Sequence, residues 1–147
     1  MTGVQTCALP IWRNLALNGI DPAAHDFIFG DCFDWLRRLA KKGRKFHGVI
    51  LDPPTFSQSK ESGVFRAPKD FGGLVGDALS VLAPDGLLLA SCNAANWPAE
   101  EFVESVRAAV QSTGRRIGAE HYAPQPPDFP VTREQPAYLK TLWLRVG

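Results

Sequence analysis

The stretch VILDPPTFSQSK, residues Val49 to Lys60, decides how the rest of the chain is interpreted. It opens with the end of a near-continuously apolar run, which is typical of a parallel strand covered on both faces. Asp52, Pro53 and Pro54 follow directly. A proline fixes φ at about −65° and lacks a backbone donor, so two in succession keep the chain out of a helix or a sheet ladder. The pattern predicts a rigid turn at a strand end, with the Asp52 carboxylate and the backbone carbonyls directed at a ligand.

Strands and helices alternate on either side of this turn. Strands are predicted at Phe27–Phe29, Gly48–Leu51, Gly86–Cys92, Arg116–Tyr122 and Leu139–Val146. Helices are predicted up to a cap at Asn18-Gly19, and at Asp34–Gly43, with Asp34 as the N-cap, Lys69–Ala83 and Ala99–Gly114. Such alternation predicts an α/β domain with a mostly parallel sheet, whose ligands lie beyond the carboxyl ends of the strands. The DPP turn and the Ser-Cys-Asn stretch at residues 91–93 both occupy such ends.

Composition excludes several classes of protein. With 147 residues, 45% hydrophobic residues and a net charge of +1, the chain has the composition of one globular domain, without the strong positive charge of a general nucleic-acid binder. The basic run at residues 37–45 is interpreted as a solvated helix face. The three cysteines have neither the spacing of a zinc site nor that of a disulfide framework, so no metal is expected and a reducing cytoplasm fits. No apolar run reaches the ~18 residues of a membrane span.

Four stretches together carry a family resemblance. LDPPTFSQSK, with GDCFDWL before it and PDGLLLASCN and PAYLKTLWLRV after it, resembles the class I S-adenosylmethionine-dependent methyltransferases that modify large-subunit ribosomal RNA. The similarity runs from about Asn14 to Val146. It implies a truncated Rossmann-like domain that lacks its first two strands, S-adenosylmethionine as the cofactor, ribosomal RNA as the partner and a cytoplasmic location. A homodimer is compatible with the sequence.

The same resemblance implies roles for individual residues. The cofactor-binding residues that it implies are Asp31, Cys32, Asp52 and Pro53. The substrate-binding residues that it implies are Pro54, Phe56 and Lys60. Phe56 is suited to stack on a base taken out of its helix, a contact worth ~1–3 kcal/mol. In the family motif an aromatic usually follows the prolines directly, whereas Thr55 stands between them here.

Cys92 and Asp52 are the predicted catalytic residues. Carbon 5 of cytosine is a poor nucleophile, so its methylation needs a thiolate that adds to carbon 6, whereas a guanine nitrogen needs no cysteine. The cytosine-specific members resembled here carry their cysteine in a Ser-Cys-Ser stretch after this strand. Asn93 departs from that pattern, and similar proteins with a nearby asparagine act on guanine nitrogens. Methyl transfer to cytosine carbon 5 is therefore the first hypothesis and guanine-nitrogen transfer the alternative.

The beginning of the chain has a different character. Residues 1–11, MTGVQTCALPI, lack periodicity and resemble the translation of a common sequencing-library adapter, so we expect a non-native leader there. Residues 12–147 would then be the C-terminal part of the catalytic domain, without the glycine-rich cofactor loop, and inactive alone. A catalytically dead, RNA-binding half-domain is the competing hypothesis. A dinucleotide oxidoreductase has no G-x-G-x-x-G to support it.

Overall fold

The computed structural model describes residues 4–59, 62–134 and 136–147, which form two compact units divided after Gly30. In the first unit, α1 spans Val4–Leu17 and a 3₁₀ turn spans Pro22–Ala24. Gly19 follows α1 with a φ of 71°, which confirms the predicted cap. Helix α1 begins at Val4, although the sequence there was expected to lack periodic structure.

The predicted strand at Phe27–Phe29 is wrong. These residues have no regular structure, and Ile28 and Phe29 are exposed. Three apolar residues make a strand only when a neighbouring strand supplies hydrogen bonds and a surface to pack on. The described residues supply no such neighbour.

The second unit contains a four-stranded sheet. Its strands are β1 (Phe46–Leu51), β4 (Leu82–Cys92), β5 (Ile117–Pro124) and β6 (Lys140–Val146), in the order β1-β4-β6-β5. β1 is parallel to β4, whereas β6 is antiparallel to both β4 and β5. Three of the four strands therefore run in the same direction, in agreement with the predicted α/β sheet. Leu51 pairs with Ala90, so β1 and β4 end close together.

A hairpin replaces the loop expected after the DPP turn. β2 (Phe56–Ser59) pairs antiparallel with β3 (Gly63–Arg66), and Phe56 lies opposite Arg66. The sequence SQSKESG is polar and lacks the apolar alternation of a half-buried strand, so the hairpin could not be predicted from periodicity. Phe65 of β3 is buried against Phe33, with 5.8 Å between ring centroids.

Three helices complete the second unit. They are α2 (Cys32–Lys41), α3 (Ala67–Leu79) and α4 (Ala99–Ser112). Their order agrees with the prediction, but the boundaries differ, most clearly at the N-cap of α2 and at the end of α3. Asp31, not Asp34, caps α2, because its side chain reaches the amides of Phe33 and Asp34. α3 ends at Leu79 because β4 already begins at Leu82, and β4 includes Pro84 in a stretch where its pairing with β1 shifts register.

The hydrophobic core lies between the sheet and the helices α3 and α4. The rings of Phe71, Trp97 and Phe102 contact one another edge to face, with centroids 5.4–5.9 Å apart. Alternate residues of β4, from Leu88 to Cys92, point into this core. The opposite face of the sheet is more open, and Ile50 there is 73% exposed.

Arg115 lies at the end of the sheet where β4 begins and β6 ends. Its guanidinium donates to the carbonyls of Leu79 and Leu82 (both 3.1 Å), Ala83 (2.8 Å) and Val146 (2.7 Å). These acceptors belong to the end of α3, the start of β4 and the end of β6. One cation thereby joins a helix and two strands at the edge opposite the DPP turn.

Candidate functional site

The DPP turn and the end of β4 meet at the carboxyl edge of the sheet. β1 ends at Leu51, directly before Asp52, and β4 ends at Cys92, directly before Asn93. Thr55 donates its hydroxyl to the side-chain carbonyl of Asn93 at 2.9 Å. The backbone carbonyl of Thr55 accepts from the amide of Ala67 at 2.9 Å, which ties the turn to the start of α3. Two stretches 38 residues apart in sequence are thus joined by one side-chain contact.

The turn presents several side chains to solvent. Asp52 and Pro54 are exposed, and Pro53 is half-buried. Phe56 is 54% exposed, so it does not belong to the core. The guanidinium of Arg66 lies 5.7 Å from the centre of the Phe56 ring. An exposed aromatic ring beside a guanidinium is an arrangement on which a nucleobase can stack.

Cys92 has a different environment from the one that its predicted role requires. Its side chain is completely buried in the hydrophobic core. In the β4–β6 ladder it pairs with Lys140, so the two side chains lie side by side on the core face. A thiol in this position cannot contact a base without a rearrangement that uncovers it.

Lys140 is a buried cation that sequence reasoning missed. It is 4% exposed, and its ammonium donates to the carbonyls of Ala94 (2.7 Å) and Tyr138 (2.8 Å). Burial lowers the pKa of Lys140, and the attraction of a thiolate at Cys92 partly opposes that shift. The signal in the sequence is the alternation in LKTLWLRV, because Lys140 falls at the same inward positions as Leu142, Leu144 and Val146.

Asp31 lies at the start of α2 and is surrounded by donors. Its Oδ1 accepts from the amides of Phe33 (3.0 Å) and Asp34 (3.2 Å) and from the hydroxyl of Ser62 (2.7 Å). Its Oδ2 accepts from the hydroxyl of Ser59 at 2.6 Å. The bond from Ser59, supported by those from Ser62 and the two amides, lowers the pKa of Asp31 against a raising effect of burial.

The two serines were not predicted as site residues. Ser59 ends β2 and Ser62 directly precedes β3, and the amide of Ser62 donates to the Ser59 hydroxyl at 2.8 Å. Because β2 begins at Phe56, the hairpin connects the DPPTF turn to Asp31. The sequence positions of Ser59 and Ser62 alone do not predict a contact with Asp31, since serines in a polar stretch are common in loops.

Cys32, the neighbour of Asp31, is exposed. Partial burial of its thiol and, after it, the negative charge of Asp31 raise the pKa of Cys32. A raised pKa disfavours the thiolate, which argues against a nucleophilic role for the Cys32 side chain.

The donor and acceptor set agrees in part with the cofactor that the sequence implied. An adenine amino group requires an acceptor, and Oδ2 of Asp31 accepts from one described hydroxyl, which leaves acceptor capacity on that oxygen. Asp52 is exposed at the strand end. Lys60, a predicted substrate-binding residue, lies outside the described residues.

The basic run at residues 37–45 spans the end of α2 and the segment after it, and three of its side chains contact other groups of the fold. Arg38 pairs with Asp34 at 2.8 Å, Arg37 approaches Asp77 at 3.7 Å, and the ammonium of Lys45 donates to the carbonyl of Ser80 at 2.8 Å. These contacts support its interpretation as a helix face. Within the described ranges, no helix has the length and apolar character of a membrane span, and no cluster of three His, Cys, Asp or Glu forms a metal site.

Comparisons with curated proteins give a consistent result, although no family model matches the chain. A ribosomal RNA large subunit methyltransferase from Deinococcus radiodurans is 35% identical over 136 residues, which are 91% of this chain and 33% of the relative. Ribosomal RNA large subunit methyltransferase I from Aeromonas hydrophila is 36% identical over 143 residues, 94% of this chain and 35% of the relative. The chain thus spans about a third of the length of these relatives.

Solved structures agree with this result. A methyltransferase in complex with SAH superposes with a TM-score of 0.77 at 28% identity, over 89% of this chain and 34% of its own. A SAM-dependent methyltransferase from Streptococcus mutans superposes with a TM-score of 0.73 at 27% identity, over 89% of this chain and 33% of its own. The order and directions of the strands are therefore those of a class I methyltransferase sheet.

Proposed function

Because this chain is homologous, over about nine tenths of its length, to ribosomal RNA large subunit methyltransferases, we propose that it forms part of an enzyme that methylates a base of that RNA. S-adenosylmethionine supplies the methyl group. The location of the proposed site rests on the contact between Thr55 and Asn93, which joins the DPPTF turn to the end of β4. This edge of the sheet is where an α/β domain binds its ligands.

The residues of the turn have complementary properties for holding a base. We propose that the exposed ring of Phe56, flanked by Arg66, stacks on the target base after it leaves its helix. The carboxylate of Asp52 accepts a hydrogen bond from the amino or imino edge of that base. Asp31 accepts from the adenine amino group of the cofactor, beside the exposed Cys32.

Whether cytosine carbon 5 or a guanine nitrogen receives the methyl group depends on whether the Cys92 thiol can reach the base. Transfer to cytosine carbon 5 requires that its thiolate reach carbon 6 of the base, and complete burial of Cys92 opposes this step. Transfer to a guanine nitrogen requires no thiol, and Asn93 is already held at the turn by Thr55. The burial of Cys92 therefore favours guanine-nitrogen transfer, and the cytosine hypothesis requires that Cys92 be uncovered when RNA binds.

Calorimetric titration with S-adenosylmethionine tests the proposal first. Two proteins are compared: residues 12–147 alone, and the same residues joined to the upstream region of the Deinococcus relative. We expect binding by the joined protein only, because the acceptors proposed here would hold just part of the cofactor. Binding by neither protein, together with RNA binding by the shorter one, would favour the RNA-binding half-domain.

The second experiment identifies the methylated atom. The joined protein is incubated with unmodified large-subunit ribosomal RNA, and digested nucleosides are identified by mass spectrometry. Cys92→Ala is compared with Cys32→Ala, a matched substitution at an exposed thiol. A guanine product with unchanged activity in Cys92→Ala would support nitrogen transfer. A methylcytosine product that only Cys92→Ala abolishes would establish the carbon-5 mechanism.

A further inference from the structure

Lys140 occupies a position where a charged residue is costly. Leu142, Leu144 and Val146, which share its face of β6, are all fully buried. Lysine is among the residues least often buried, because its ammonium loses hydration that protein groups must replace. The ammonium must therefore contribute through the atoms that it contacts.

Those atoms belong to two segments that leave the sheet at the candidate site. Ala94, whose carbonyl accepts at 2.7 Å, lies two residues beyond Cys92 in the turn that follows β4. Tyr138, whose carbonyl accepts at 2.8 Å, lies just before β6. One ammonium thus connects the chain leaving β4 to the chain entering β6, directly beside the Cys92 side chain with which Lys140 pairs.

The turn that Lys140 holds also carries Asn93. Asn93 precedes Ala94 immediately, and its side chain accepts from the Thr55 hydroxyl. A continuous series of contacts therefore runs from the Lys140 ammonium through the Ala94 carbonyl to Asn93 and on to Thr55. The Asn93 side chain is exposed, so its position is determined largely by the backbone that carries it. An anchor on that backbone therefore affects where the side chain lies.

We propose that Lys140 is a positioning residue of the candidate site: its ammonium anchors the turn after β4 so that Asn93 meets Thr55 of the DPPTF turn. This inference deepens the proposed function, because it rests on these two segments forming the base-binding edge. It does not make Lys140 a catalytic residue. The role is to maintain the spacing of groups that contact the substrate.

Nuclear magnetic resonance of the 147-residue chain tests this role without cofactor or RNA. The reporters are the side-chain amide of Asn93 and the γ-methyl of Thr55. In Lys140→Met, which keeps the length of the side chain and removes its charge, we expect both signals to move. Lys140→Arg, which keeps a cation and several donors, should restore signals close to those of the unchanged protein.

Lys45→Met is the control, since the Lys45 ammonium likewise donates to a backbone carbonyl, that of Ser80, away from the candidate site. It should leave both reporters unmoved. Thermal denaturation of each variant is measured alongside. A lower melting temperature in Lys140→Met with Asn93 and Thr55 signals in place would overturn the proposal, because it would show a role in stability alone. If Lys140→Met does not fold, Lys140→Gln, which keeps one amide donor, is measured against the same criterion.

The experiment separates this inference from the proposed function. The reporters depend only on the geometry of the free protein, so a failed methyl-transfer assay leaves the result for Lys140 unaffected. Conversely, unmoved reporters in Lys140→Met would refute the anchor and leave the methyltransferase proposal standing.

Discussion

Replacement of Asp31 provides the most informative test of the hairpin and its relation to α2. The carboxylate combines two functions: it caps α2 through two amides, and it accepts the hydroxyls of Ser59 and Ser62 from the hairpin. Asp31→Ala removes both, whereas Asp31→Asn retains an oxygen for the cap and loses the charge. Comparison of the two variants separates the interactions of Oδ1, with the two amides and Ser62, from the charge and the Oδ2 bond with Ser59.

The expected magnitudes follow from the number of bonds lost. Loss of an N-cap side chain costs about 1 kcal/mol. Each hydroxyl bond to the half-exposed carboxylate contributes about 1 kcal/mol, below the range for buried charged pairs because solvent competes. Asp31→Ala should therefore lower the free energy of unfolding by about 3 kcal/mol, and Asp31→Asn by about 1–2 kcal/mol, since its cap remains.

Urea denaturation followed by circular dichroism measures these differences, with the slope of the transition serving as a check that the unfolded state is unchanged. Ser62→Ala is the matched control and should cost about 1 kcal/mol. Equal destabilisation by Asp31→Ala and Asp31→Asn would refute the reasoning, because the cap would then make no separate contribution.

The pH dependence provides a second check on Asp31. Its pKa is lower in the folded protein than in the unfolded chain. Its stabilising contribution is therefore complete above the ordinary aspartate pKa and is lost as pH falls through the lower, folded value. The acid loss of stability that is attributable to Asp31 should be absent from Asp31→Asn. An unchanged acid limb in that variant would contradict the assignment.

Three further predictions concern other parts of the second unit. Arg115→Met should lower the free energy of unfolding by about 3–4 kcal/mol, because four carbonyls lose a charged donor, and Arg115→Lys should recover part of this in the same urea measurement. With Cys7 replaced by serine, a thiol reagent should modify Cys32 slowly at neutral pH and faster in Asp31→Asn, because removal of the negative charge lowers the raised pKa of Cys32. Cys92 should react with the reagent only on unfolding, and its rapid modification in the folded protein would contradict its burial. A double-mutant cycle of Thr55→Val and Asn93→Ala should give a coupling of about 0.5–1 kcal/mol in unfolding experiments, and a coupling near zero would show that their contact does not persist in solution.

Much of the fold follows from local sequence patterns. The apolar runs before Asp52 and Asn93 predicted β1 and β4, because a strand buried by helices leaves little room for polar residues. The spacing of Phe102, Val106 and Val110 predicted α4, since these residues form one helix face. The two prolines predicted a rigid turn at a strand end. Each inference depends on residues close together in the chain, which is why it could be made.

Other features depended on contacts between distant residues, and only the tertiary structure decided them. Ser59 and Ser62 became partners of Asp31, about 30 residues away, because the hairpin folds back towards α2. The strand predicted at Phe27–Phe29 did not form for a related reason: a strand needs a partner strand from elsewhere in the chain, and the described residues supply none there.

The sequence by itself determined the class of fold, the family resemblance and the two segments that meet at the edge of the sheet. Only the tertiary structure decided what those segments present to a ligand. Phe56, the first residue of β2, is exposed, whereas Cys92, the last residue of β4, is buried. The physical reason is the two-residue repeat of a strand, which places Cys92 and Lys140 on the core face through a register that neither strand specifies alone.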